Sequence, residues 1–224
     1  MKFLVISDLH GAVDNLNKLD FQFKKCDGVL FAGDFAKFGA PETGRPSLEL
    51  LSKKHDAIFA VIGNCDEPEF LGEIERADIS VQKTLVSHEG LCFAGSGGGS
   101  KFSGETPNEL TDEELLSDFN IVTDQGETEW DNLIAIMHNP PKDTECDKVA
   151  PQVHVGSPLL RKFIEDYKPL AVITGHIHES RGICKVGNTT VINPGALAEG
   201  NYAVLELNRK NEKWEVTSAQ LCEL

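Results

Sequence analysis

Apolar residues in this 224-residue chain gather in short, unbroken runs rather than in long helical stripes. Five of them, Phe3 to Ile6, Gly28 to Ala32, Ala57 to Ile62, Leu133 to Met137 and Leu170 to Thr174, have the length and the polar borders of buried strands. Between and around them, Val13 to Phe23, Pro46 to Lys54, Pro68 to Ala77, Asn108 to Ser117 and Pro158 to Tyr167 read as helices. Three of these open on proline, whose fixed φ and missing N–H suit a first turn. Alternating strand and helix in the first half implies parallel βαβ units. After residue 178 the pattern changes to short β-like pieces, Thr189 to Ile192, Tyr202 to Leu207 and Lys213 to Ala219, with Asn208 and Asn211 as turn residues. That change predicts mixed or antiparallel pairing and a second sheet.

The length suits one domain over residues 1–224, with no linker, charge block, low-complexity tail or solenoid repeat. Asp8 breaks the opening apolar residues before they reach the length of a signal-peptide core. No apolar stretch approaches a membrane span. Six cysteines (Cys26, Cys65, Cys92, Cys146, Cys184 and Cys222) are scattered without a C-x-x-C pair, so a reduced, cytoplasmic protein is expected.

Net charge is −15, from 21 basic and 36 acidic residues. Proteins that grip nucleic acid draw much of their affinity from Lys and Arg on phosphates, so this balance argues against such partners and leaves small substrates open.

Chemistry enters at the strand ends. The five runs are followed by Ser7-Asp8-Leu9-His10, Gly33-Asp34, Gly63-Asn64, His138 and Gly175-His176-Ile177-His178. In open α/β sheets the ligand crevice lies outside the carboxyl ends of the strands, where residues remote in sequence converge. Singly these residues have ordinary explanations: Asp8 as a helix cap, Asp34 as a turn residue, His138 as a satisfied core histidine. Together they are seven oxygen and nitrogen donors on five strand ends, which points to bound divalent cations. The glycine-rich stretch Gly95 to Gly104 fails as a phosphate loop, because Lys101 follows Ser100 and precedes Phe102, and as a dinucleotide fingerprint, because its third glycine position is Ser100. A flexible loop beside the cleft is the expectation.

In order along the chain, D-x-H at Asp8 and His10, G-D at Asp34, G-N-C-D at Gly63 to Asp66, the lone His138 and G-H-x-H at Gly175 to His178 resemble the calcineurin-like metallophosphoesterase superfamily. The resemblance spans residues 3 to about 195 and is nearest to small prokaryotic phosphodiesterase-like members, which also carry a Gly-rich loop followed by Thr-Pro-Asn-Glu-Leu, here Thr106 to Leu110.

It implies a four-layer αββα sandwich of two mixed sheets flanked by helices. It places Asp8, His10 and His178 on one metal, Asn64, His138 and His176 on another, and Asp34 between them, with Asp34, Asn64, His138 and His176 as the catalytic set. Two divalent transition-metal ions are implied, Mn or Fe by the resemblance, with Ni, Co or Zn also compatible with the N,O donors. A water shared by two dications becomes a hydroxide nucleophile at neutral pH, and with Asp8 and Asp34 the pocket keeps a charge of about +1 that attracts phosphate.

Cys65 departs from the family, many of whose members place a His there to contact the scissile phosphate and protonate the leaving group. A thiol is a weak donor, so the reading is a phosphoester hydrolase acting on a small phosphodiester. A phosphomonoesterase, a nuclease and a non-catalytic scaffold of the same fold remain alternatives. Asn64, Cys65, His154 and Arg181 are candidate substrate contacts, while Asn139, Glu179 and Asn193 are candidates to support the ligands. His55 and His88 match no motif and read as surface residues. The loops Phe35 to Arg45, Gly95 to Asn108 and Pro140 to Gly156 are expected to set substrate choice.

Overall fold

Side chains alternate across a strand, and the first strand shows what must cover it. In the computed structural model, which describes residues 1–126 and 130–224, Lys2–Ile6 turns Phe3 and Val5 to one side and Leu4 and Ile6 to the other, all four fully buried. Both faces therefore need a partner layer.

One sheet has the strand order Lys213–Glu223, Asn201–Lys210, Lys2–Ile6, Gly28–Phe31, Ile58–Ala60, its last three strands parallel. The other runs Gly182–Val186, Thr189–Asn193, Ala171–Ile173, Leu133–Met137, Leu91–Ser96, Val86–His88, with four parallel strands between two antiparallel edges. Phe3, Val5, Leu30 and Phe59 meet Phe93, Ile134, Ile136 and Ile173 between the sheets. There the Phe59 and Phe93 rings stack with centroids 3.7 Å apart.

Leu16, Phe23, Leu48, Leu51 and Ile74 bring helices Val13–Lys18, Asp20–Lys25, Gly44–Leu51 and Leu71–Arg76 onto the outer face of the first sheet. Leu115, Phe119, Val122, Leu160 and Phe163 do the same on the second from Asp112–Ser117, Asn120–Thr123 and Pro158–Tyr167. The αββα sandwich is thus the observed fold. Among the described residues no helix is long and apolar enough to cross a membrane.

Several boundaries differ from expectation. The helix expected over Val13 to Phe23 breaks at Leu19, whose N–H turns back to the Leu16 carbonyl. The helix expected from Asn108 begins at Asp112, because Glu109–Leu110 is taken up pairing with Gly99–Ser100 and Thr111 forms a capping box with Glu114. The last two strands do not start a sheet of their own. They form a hairpin whose turn residues, Asn211 and Glu212, both have positive φ, and the hairpin adds antiparallel to Lys2–Ile6. Thr189–Asn193 joins the other sheet parallel to Ala171–Ile173.

Candidate metal centre

Parallel strands end at one edge of each sheet, so the turns after Ile6, Phe31, Ala60, Met137 and Ile173 meet there. Four of the seven candidate ligands sit in left-handed backbone: Asp8 at φ 53°, His10 at 47°, Asp34 at 62° and His176 at 67°. Such a conformation costs a non-glycine residue roughly 1–2 kcal/mol, and surrounding bonds hold it. Asp8 and His10 donate their N–H groups to the carbonyls of Gly33 and Asp34, and the His176 N–H donates to both Asp8 carboxylate oxygens at 3.2 Å. The neighbouring glycines leave room for these side chains. A Cβ on Gly63 would run into the Asp34 carboxylate, and one on Gly175 into Ser7 and Asp8.

The donors converge in two groups. His10 Nε2 lies 3.2 Å from His178 Nε2, and Asp8 Oδ1 lies 3.4 Å from His178 Nε2 and 3.9 Å from His10 Nε2. On the other side, His138 Nε2 lies 2.8 Å from Asn64 Oδ1, and the His138 and His176 ring centroids are 5.2 Å apart. A single atom, Asp34 Oδ2, reaches both groups, 3.7 Å from His10 Nε2 and 3.5 Å from His138 Nε2.

The outward ring nitrogens assign the inward ones. Nδ1 of His138 donates to the Ala32 carbonyl at 2.6 Å, Nδ1 of His10 to Ala36 at 3.2 Å, and Nδ1 of His178 faces the Glu199 carboxylate at 3.3 Å. With Nδ1 carrying the proton, the Nε2 of His138 and of His10 offers a lone pair to the crevice, and that of His178 does so once the proton it shares with Asp8 is displaced. Facing lone pairs at 2.8 and 3.2 Å repel unless a cation or a proton lies between them, so the donor set fits divalent ions.

The titration of these groups follows from the same contacts. Hydrogen bonding to Asp8, with the charges of Asp8 and Glu199, outweighs burial and lifts His178 to about 9. Burial pushes Asp8 upward, but the His178 hydrogen bond and the charges of His138 and His178 prevail and hold it well below the usual carboxylate range. An edge of His176 reaches solvent, yet burial, aided by the His138 charge, lowers it to about 4. Below pH 9 the metal-free protein thus carries a proton on His178 that a metal held by this imidazole would have to displace. Apparent Mn²⁺ affinity is expected to rise roughly tenfold per pH unit between about pH 6 and 8. Calorimetric titration in buffers of different ionisation enthalpy checks this, and a pH-independent affinity would refute it.

The walls are built by residues whose task the motifs did not reveal. Asp66, fully buried, accepts N–H bonds from Gly63, Asp34, Phe35 and Ala36 at 2.8–3.2 Å, tying two ligand loops together. Asn108 donates its amide to the Gly63 carbonyl and its backbone N–H to that of Asn64. Both lie inside quoted motifs, Gly63 to Asp66 and Thr106 to Leu110, which was the available signal. Glu199 had none. Asn193 donates to the Ile177 carbonyl within the G-H-x-H turn, and Asn139 accepts the Ser100 N–H. The glycine-rich stretch is not slack at its start. Gly97, Gly98 and Gly99 donate to Asp118, Ile62 and Asn108, and a Cβ on Gly99 would stand 3.1 Å from Asn64 Cβ.

The candidate substrate contacts separate. Cys65 is beside the centre, its Sγ grouped with a His10 ring nitrogen and an Asp34 oxygen within 4.8 Å. His154 instead gives Nδ1 to the buried Asp147 at 2.7 Å, as part of a loop clasp. Arg181 turns away to the C-terminal strand, donating to the carbonyls of Pro194 and Cys222 and pairing with Glu223. Its guanidinium is thereby used structurally rather than offered to a phosphate. Glu179 is exposed.

The family model for calcineurin-like phosphoesterases matches residues 1–180. An uncharacterised protein of Methanocaldococcus jannaschii is 35% identical over 202 residues, covering 87% of this chain and 88% of its own. A crystal structure of a Thermus thermophilus protein superposes with a TM-score of 0.71 at 20% identity, over 97% of this chain and 98% of that one. A structure described as a novel archaeal phosphodiesterase does so with a TM-score of 0.56 at 18% identity, over 100% of both chains.

Proposed function

The chain belongs to the calcineurin-like phosphoesterase family, a family of metal-dependent phosphoester hydrolases, and from that premise we propose that it cleaves a small phosphodiester at a centre of two divalent ions. The observation that carries the dinuclear reading is the single oxygen, Asp34 Oδ2, placed toward both donor groups. Asp8, His10 and His178 would hold one ion and Asn64, His138 and His176 the other, with Asp34 common to both. When bound, such ions polarise phosphoryl oxygens and lower the pKa of coordinated water. Asn64, being neutral, adds a ligand without cancelling the positive charge that draws an anionic ester in. The ring nitrogens held by Ala32, Ala36 and Glu199 keep the imidazoles oriented through a turnover.

Cys65 supports a diester over a monoester. Burial pushes its thiol well above the ordinary range, and the Asp34 charge pushes it further, so it stays protonated and offers the leaving oxygen only a weak S–H donor. Esters whose leaving groups need little protonation suit that pocket. Two exposed aromatic residues stand in the loops that follow the ligand-holding segments and would offer apolar surface for a diester's second substituent. Phe38 is two residues beyond Ala36, which holds His10, and Phe102 is three beyond Gly99, which packs on Asn64 and His176. The archaeal phosphodiesterase of similar fold accords with this reading. Mn or Fe is the proposed metal, from the family resemblance.

Metal analysis of purified protein, joined to a panel of chromogenic diesters and alkyl monoesters, tests the proposal. Diesters are expected to turn over and alkyl monoesters to lag. Cys65→His is expected to raise monoester turnover by about 10²-fold, the lower end for a supplied general acid. Failure to bind any transition metal would overturn the hydrolase centre. Faster hydrolysis of alkyl monoesters by the unaltered protein would overturn the diester preference.

A further inference from the structure

A second cluster of reactive side chains lies outside the metal centre. Cys146 and Cys184, separated by 38 residues, bring their sulfurs to 3.9 Å. Cys146 is fully buried in the turn that follows Thr144, where Asp147 accepts N–H bonds from Asp143, Thr144 and Gly156. Its Sγ also lies 3.5 Å from the Gly182 carbonyl. Cys184 is part-exposed at the middle of Gly182–Val186, an edge strand of the six-stranded sheet. Neither sulfur contributes to the metal-donor groups of the described residues.

The two thiols are unequal. The hydrogen bond from Cys146 lowers Cys184 despite burial, while that same bond and burial raise Cys146 far above the ordinary range. Burial pushes the remote Cys26 up to about 11. The more acidic thiol of the pair is also the more accessible one, and thiolate character with access decides which sulfur attacks first.

We propose that Cys146 and Cys184 are a reversible dithiol–disulfide site, closed by exchange with a low-molecular-weight disulfide, with Cys184 attacking and Cys146 resolving. In the first step the Cys184 sulfur displaces one half of the small disulfide, which leaves as a thiol after taking up a proton, and a mixed disulfide remains on Cys184. In the second step Cys146 loses its proton and attacks the Cys184 sulfur, the second small thiol departs, and the intramolecular bond is complete. The two protein thiols have together given two electrons and two protons to the small disulfide. The sulfurs must approach from 3.9 Å to about 2 Å. The bond would tie the loop that runs on from His138 to the strand that runs on from His178.

The test treats the full-length protein with excess oxidised glutathione, alkylates remaining thiols, digests it and maps the peptides by mass spectrometry. The expected result is loss of two of the six free thiols, one linked peptide pair joining Cys146 to Cys184, and reversal by dithiothreitol. Cys146→Ser is expected to stop at a glutathione adduct on Cys184, formed at least about tenfold faster than at any other cysteine. Cys184→Ser is expected to leave Cys146 unmodified. Six free thiols after treatment, a link between other cysteines, or an adduct that appears first on Cys146 would each overturn the proposal. The unaltered protein alone decides the first two.

Discussion

Asp34→Asn is expected to lower kcat on a chromogenic diester by at least about 10³-fold while leaving the protein folded. The substitution preserves size and leaves an oxygen able to accept the Cys65 N–H, which Asp34 Oδ1 accepts at 2.8 Å, so the lacing between the two ligand loops survives. What it removes is the charge on the atom that faces both donor groups, 3.7 Å from His10 Nε2 and 3.5 Å from His138 Nε2. On the proposed two-ion reading, a neutral amide there would bind the cations more weakly, presenting either an N–H₂ or a poor oxygen donor. Metal assistance is worth several kcal/mol, and each 1.4 kcal/mol is about a factor of ten in rate. Steady-state kinetics in saturating Mn²⁺, with metal content and melting temperature measured on the same sample, check it. Full activity in that variant would sink the shared-carboxylate reading.

That these candidate donors would converge could be read from the sequence because of where they stand. Parallel strands buried on both faces appear as unbroken apolar runs, and the residue after such a run projects at the sheet edge. Asp8, Asp34, His138 and His176 follow their runs within one to three residues. The left-handed backbone that turns four of these candidates inward was not readable, since Asp and His, though enriched at positive φ, adopt it at only a small minority of their positions.

Contacts that close over long separations were hidden for a plainer reason. Arg181 looked like a phosphate ligand from its neighbours in sequence, yet the C-terminal hairpin supplies carbonyl and carboxylate partners some 40 residues further on. The glycine-rich loop looked slack because Asn108, Asp118 and Ile62, which pin it, come from other elements. Cys146 and Cys184 looked unrelated because their spacing matches no motif, and only the meeting of a loop and an edge strand makes them neighbours. Helix ends failed at Leu19 and Asp112, where local backbone bonds and a short strand pairing override the apolar pattern.

Asp66→Ala is expected to cost the fold on the order of 4 kcal/mol and, with it, the shape of the metal centre. The carboxylate is fully buried and accepts four backbone N–H bonds, from Gly63 at 2.8 Å, Asp34 at 3.1 Å, Phe35 at 3.2 Å and Ala36 at 2.8 Å. Each donor left unpaired in the interior costs about 1–3 kcal/mol, and because all four belong to one group the total falls below their sum. For a chain of this length that loss lowers the melting temperature by about 8–16 °C. Burial and then the Asp34 charge raise Asp66 against the pull of those N–H groups, so the charge is held there at a cost and by backbone N–H groups. Asp66→Asn keeps one acceptor oxygen but turns an N–H₂ toward other donors, and is expected to fall between the two. The four N–H groups belong to the segment that carries Asp34 and to Gly63 just before Asn64. Metal affinity should therefore drop well below the melting temperature, and not only as the protein unfolds. Thermal melts paired with Mn²⁺ titration at 20–25 °C separate the two effects, and an Asp66→Ala protein with unaltered metal affinity would show that the ligand loops hold their geometry without the clasp.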